Sequence, residues 1–208
     1  MVKKIIDYVK TLIVDKKSLE NKTNIEAPTH TRKEIIDSLD YDKYNAPEIT
    51  CGTPGTNIFI LDDIPDSLTL YDIDFSTIKR QYKKNVCNDF QVINCVGSTA
   101  GFKAHKFIAI EKNKIDYAIL DITLGYLVRL DNGEYIEFDG IDIAIDILGV
   151  NPDAKIRFST AHTLNKRNPT MEYYHNKFTK LTGKKLQNYY FNKNDNRAEK
   201  IYQFLYGE

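Results

Sequence analysis

The chain is short of cysteine, of net charge and of long apolar runs, and each shortage removes a class of function. Its 208 residues include three cysteines, Cys51, Cys87 and Cys95. That odd, low count has no metal-type spacing and reads as reduced thiols in a cytoplasmic protein. Lys plus Arg and Asp plus Glu both number 29, so no bulk charge recruits nucleic acid or a membrane surface. No apolar run approaches the roughly 18 residues of a membrane span. Asp7, Lys10 and Asp15 interrupt the N-terminal apolar pattern, which excludes a signal peptide. No internal repeat is visible. What remains is the length of one ordinary domain plus an extension, enough to bury a core.

Residues 1–55 form that extension. Ile5, Ile6, Val9, Leu12 and Ile13 fall at helical spacing and predict an amphipathic helix over about residues 2–20. A polar stretch follows, then a short helix at about 32–39. Pro47, Gly52, Pro54 and Gly55 mark about residues 40–55 as a linker. Nine basic and nine acidic side chains in this region argue against a DNA-binding arm. A partly disordered tail and a helix docked on the domain, or on a second copy, both fit.

From Thr56 onward the pattern alternates. Near-continuous apolar runs at about 57–62, 90–96, 116–120, 155–159 and 188–192 predict five strands buried on both faces. Helical patterns lie between and after them, at about 67–88, 99–112, 140–148, 171–181 and 197–205. In the first, Leu70, Ile73, Ile78 and Tyr82 supply the apolar positions. Such alternation predicts a doubly wound α/β fold: a five-stranded parallel sheet with helices on both faces. One segment departs from it. Residues 126–138 read YLVRL, then Asp131-Asn132-Gly133, then EYIEF, an inserted β-hairpin about an Asn-Gly turn.

The chemistry concentrates at strand ends. NIFILDD ends in Asp62 and Asp63, IDYAILD in Asp121, IRFSTA in hydroxyls that include Thr160, and NYYFNK in Lys193. The carboxyl ends of parallel strands share one edge, where ligands bind, so the fold gathers these residues into one pocket. Three neighbouring carboxylates raise one another's pKa. A hard divalent cation such as Mg2+ relieves that repulsion. Cation, ammonium and hydroxyl together suit a phosphoryl group carried on a carboxylate oxygen.

On these residues, residues 56–208 resemble the receiver domains of two-component response regulators. The resemblance rests on FILDD, AILD, Asp139-Gly140, FSTA and YFNK. It implies the flavodoxin-like strand order 2-1-3-4-5. It implies that Asp121 is the phosphoacceptor and that Asp63 binds Mg2+ directly, Asp62 through water and Thr123 by its backbone carbonyl. Thr160 and Lys193 would hold phosphoryl oxygens. Thr160 and Tyr190 would form the switch, and Thr123 and His162 would tune the lifetime of the phosphoryl group. The implied partners are a histidine kinase or histidine phosphotransfer protein, an unidentified downstream protein and a second copy of the chain. With the sequence closing one helix after Lys193, the expected module is a stand-alone one. Departures from the family pattern are Leu124-Gly125 in place of Met-Pro, Asn194 in place of proline after the lysine, and eighteen positions between Asp121 and Asp139.

The alternative is an aspartate-nucleophile phosphatase of the haloacid-dehalogenase type, which needs an acid two residues after the nucleophile; Thr123 stands there. His30, His105, His162 and His175 are scattered, which favours surface roles over phosphodonor ones. Tyr173, Tyr174, Tyr189 and Tyr190 offer base-stacking rings, but without net positive charge they do not indicate nucleic-acid binding.

Overall fold

The computed structural model describes residues 34, 36, 38–125, 127–129, 133, 135–161 and 169–207. The expected helix over 2–20, His30, Tyr126, the Asp131-Asn132 turn and His162 lie outside the described residues. Within them, β1 is Glu48–Cys51, β2 Asn57–Asp62, α1 Ser67–Tyr82, α2 Val86–Asp89 and β3 Gln91–Val96. Helix α3, Ala100–His105, continues into a π-helical turn, Lys106–Ile110. Then come β4 Tyr117–Asp121, β5 Val128–Arg129, β6 Tyr135–Ile136 and α4 Gly140–Val150. The last elements are β7 Lys155–Thr160, α5 Pro169–Thr182, β8 Tyr190–Asn192 and α6 Arg197–Tyr206.

The fold is a mixed α/β sheet of mostly parallel strands, in the order β1-β3-β2-β4-β7-β8. All pairings in it are parallel except β1 with β3. The sheet therefore has six strands where the sequence predicts five. The extra strand lies in residues 40–55, read as a linker because of their glycines and prolines. Those residues serve the strand instead. Gly52 has φ +91°, and a Cβ there would stand 2.1 Å from the Phe90 carbonyl oxygen. Only glycine fits a backbone that turns with positive φ so close to the neighbouring segment. Tyr41 and Tyr44, also in that stretch, are buried, and Tyr44 stacks on Phe102 at 5.2 Å.

The pleat sorts side chains to two faces. Ile58, Ile60 and Ile119 join Tyr71, Phe75 and Ile78 of α1 and Ile201, Phe204 and Leu205 of α6. Phe59, Leu61, Ala118 and Leu120 join Phe102, Ile141, Ala144, Met171 and Phe178 from α3, α4 and α5. Each fully buried aliphatic side chain contributes about 1.5–3 kcal/mol. In α1 the buried stripe runs Ser67, Tyr71, Asp74, Phe75 and Ile78, while Leu70 and Ile73 are exposed. The helix is thus rotated from the face that its aliphatic residues predict. It ends at Lys83, whose φ is +58°, so the predicted helix over 67–88 is broken before α2.

The cysteine reading is also corrected. Cys51 and Cys87 form a disulfide with Cα atoms 5.4 Å apart, and only Cys95 is free, buried in the core. The partners lie 36 positions apart and meet because β1 folds back onto β3 beside α2, a pairing that the linker reading hid. The argument from reduced thiols to the cytoplasm falls with it. Among the described residues, no helix is long and apolar enough to cross a membrane.

Candidate functional site

The strand registers build the site. Leu61 is the Cα partner of Leu120, so Asp62 and Asp121 follow side by side. Asp121 pairs with Ser159 across β4 and β7, and Thr160 pairs with Asn192 across β7 and β8. The next residue, Lys193, donates its backbone N–H to the Thr160 carbonyl at 2.9 Å. One sheet edge therefore presents carboxylates, hydroxyls and an ammonium at matching heights.

The Lys193 ammonium joins them. Its Nζ lies 2.7 Å from Asp62 Oδ2 and 2.7 Å from Asp121 Oδ2. Asp62 Oδ1 accepts from the Ile64 N–H at 3.1 Å, Asp121 Oδ1 from the Thr123 N–H at 3.4 Å, and Asp63 Oδ2 from the Gly125 N–H at 3.0 Å. Asp62 and Asp121 are buried and Asp63 is half-buried. Burial pushes the Asp121 carboxyl up to about 6; Lys193 opposes that shift, and Asp62 and Asp63 add to it. Burial works against the Lys193 charge, but Asp121 and Asp62 outweigh it and leave its pKa raised.

Ligand oxygens of Asp62, Asp63 and Asp121 lie within 4.8 Å of one another, the one such acidic or histidine-cysteine group among the described residues. Three hard oxygen donors around a small volume fit Mg2+, and a single ammonium leaves three carboxylates undercompensated. The expected fourth donor, the Thr123 carbonyl, belongs to the same turn, whose N–H already touches Asp121. Behind the acids, Asp139 caps α4 in a capping box with Asp142, and the Gly140 N–H donates to the Ile122 carbonyl at 2.9 Å. Asp139-Gly140 thus abuts the Asp121 turn despite the eighteen-position gap. The short antiparallel pair β5–β6 lies within that gap.

Thr160 is buried and Tyr190 half-buried against the core. His105 is not at the site: its Nδ1 lies 2.7 Å from Asp146 Oδ2, between α3 and α4. A cavity of about 620 Å3 opens elsewhere, beside Leu127, Tyr135, Glu137, Asp139, Tyr173 and Lys177. Lys177 already pairs with both Asp139 and Asp142, so the cavity's buried charges are spoken for. The three carboxylates and the Lys193 ammonium cluster at the strand ends instead.

Sequence reasoning missed a polar layer under the acids. Tyr71 and Ser159 are buried there, and Arg197 forms a buried ion pair with Asp74 while lying 4.8 Å from the Tyr71 ring centroid. The signal was the spacing of Ser67, Tyr71, Asp74 and Ile78, a helical stripe whose polar members disguise it. Among known proteins, the sequence matches no family model and no curated protein.

Proposed function

We propose that this chain is a phosphoacceptor signalling module, with Asp121 taking a phosphoryl group from a phosphohistidine of a histidine kinase or histidine phosphotransfer protein. The observation that carries the reading is one ammonium, Lys193, shared at 2.7 Å between two carboxylates at adjacent strand ends, with Asp63 in the same cluster. The order of the five parallel strands supports it: without β1 they run second, first, third, fourth, fifth, the flavodoxin-like order of receiver domains. The absence of an acid at Thr123 disfavours the phosphatase alternative.

Asp121, with its carboxyl near 6, is ionised at neutral pH and can act as the nucleophile. Its oxygen forms the new P–O bond as the P–N bond to the donor imidazole breaks, and the imidazole leaves with the electron pair. Lys193 then turns from the carboxylates to a phosphoryl oxygen, and the Thr160 hydroxyl donates to another. Asp62, Asp63, Asp121 and the Thr123 carbonyl would hold Mg2+, which supplies charge neutralisation for the phosphoryl oxygens. As Thr160 moves inward, Tyr190, half-buried beside it, follows, and the face of α5, β8 and α6 changes its contacts with a downstream protein or a second copy. The reading keeps the module in the cytoplasm, where a reducing environment would open the Cys51–Cys87 bond. Hydrogen exchange with and without magnesium and beryllofluoride tests it: slowed or altered exchange around residues 155–160 and 190–206 supports the switch, and an unchanged pattern overturns it.

A further inference from the structure

We propose that the N-terminal segment, residues 2–17, docks its apolar stripe into the acidic groove between the β5–β6 pair and α5 of its own chain. The docking does not depend on the phosphoacceptor reading. The groove is the cavity of about 620 Å3 beside Asp139. Three large side chains around it are open to solvent: Leu127 is 50% exposed, Tyr135 61% and Tyr173 59%. Large apolar and aromatic groups gathered round one cavity mark an interaction surface. In the lining, Glu137, Asp139 and Asp142 set three carboxylates against one ammonium, Lys177. The occupant that fits is therefore apolar and basic.

Residues 2–17, outside the described residues, have that chemistry in their sequence. Ile5, Ile6, Val9, Leu12 and Ile13 make the apolar stripe. Lys3, Lys10 and Lys17 recur every seven residues, a spacing that on a helix sets them along one border of the stripe. The segment holds five lysines and two aspartates. The chain also enters on the right face. Ile36 and Leu39 pack against the same core as Ile136 of β6 and Tyr174 and Phe178 of α5. Tyr41 lies 5.6 Å from His105, whose ring stacks on Phe138 at 4.6 Å. Phe138 stands between Glu137 and Asp139 of the groove. Residues 18–35 can span up to about 60 Å, ample for a groove that begins two rings from Tyr41. Tethering makes the contact intramolecular, so a weak fit suffices. The exposed Leu70 and Ile73 belong to α1, which packs on the opposite face of the sheet. In the groove the segment lies against Asp139, next to Gly140, whose N–H donates to the Ile122 carbonyl just after Asp121.

The test is hydrogen exchange on the full chain, comparing wild type with Val9→Asp in the segment and Tyr173→Asp in the groove. Leu127→Asp, across the cavity, repeats the groove variant, and unchanged protection in β2 and β4 shows that each variant is folded. In wild type the amides of residues 5–13 should exchange about tenfold more slowly than in any of the three variants. Residues 135–137 and 170–173 should exchange faster in Val9→Asp than in wild type. Segment amides that exchange at unstructured-chain rates in wild type, or that stay protected in both groove variants, overturn the docking. Protection lost on dilution assigns the segment to a second copy, and protection gained only on anionic lipid vesicles assigns it to a membrane surface. Either result overturns the proposal.

Discussion

Gly140 lies so close to Asp121 that a Cβ built on it would stand 2.0 Å from the Asp121 carbonyl oxygen. The contact is with backbone at the end of β4, so no side-chain rotation relieves it. Helix α4 can start here only because its first residue has no side chain, and its start in turn fixes the turn that carries Asp121 and Thr123. Gly140→Ala should destabilise the protein by about 2–3 kcal/mol and disturb the acidic cluster. Denaturant unfolding measures the first effect, and amide shifts at residues 121–125 measure the second.

Asp121 should weaken the fold at neutral pH. Its folded pKa, about 6, is raised above the ordinary carboxylate range, so the folded state holds that proton more tightly. The group's contribution to stability is then fully present below about 4 and lost as pH rises through about 6. Asp139, raised to about 6 chiefly by burial and then by Asp142, acts in the same direction. Asp121→Asn, neutral throughout, should be more stable than wild type at pH 7 by on the order of 2 kcal/mol. The difference should shrink toward pH 4. Denaturant unfolding of both proteins across this range checks the sign.

The buried Arg197–Asp74 pair clamps α6 to α1. Burial is the largest influence on Asp74 and raises its pKa against the pull of Arg197. Asp74→Ala leaves the guanidinium buried and unpaired, and should lower stability by about 3–5 kcal/mol. Replacing both residues with apolar ones should restore much of it. A double-mutant cycle reads the coupling directly.

The Cys51–Cys87 bond gives a mass-spectrometric expectation. Denatured without reductant, the protein should take up one alkyl group, on Cys95, and after reduction three. Loss of the cross-link should lower stability by about 2–4 kcal/mol, and exchange should quicken in β1, whose Ile49 is exposed at the sheet edge.

The parallel strands were legible because both their faces are buried. NIFILD reads as a continuous apolar run and is β2 to the residue. The acids at Asp62 and Asp121 were legible because each ends such a run. β1 was not, since a short strand with an exposed face, EITC, among glycines and prolines carries no periodic signal. The rotation of α1 was hidden because a tyrosine and an aspartate occupy its buried stripe, and each has its reason only in three dimensions: Asp74 in its ion pair with Arg197, Tyr71 in the same guanidinium lying over its ring. The disulfide was invisible for the same cause as β1, on whose pairing it depends.

Covalent labelling reads the proposed phosphoacceptor role of Asp121. Wild type and Asp121→Asn are incubated with acetyl phosphate, each with and without magnesium, and their intact masses are measured. The account predicts one added phosphoryl group on wild type, only with magnesium, and none on the variant. Undiminished labelling of Asp121→Asn, or no labelling of folded wild type with magnesium present, would contradict it.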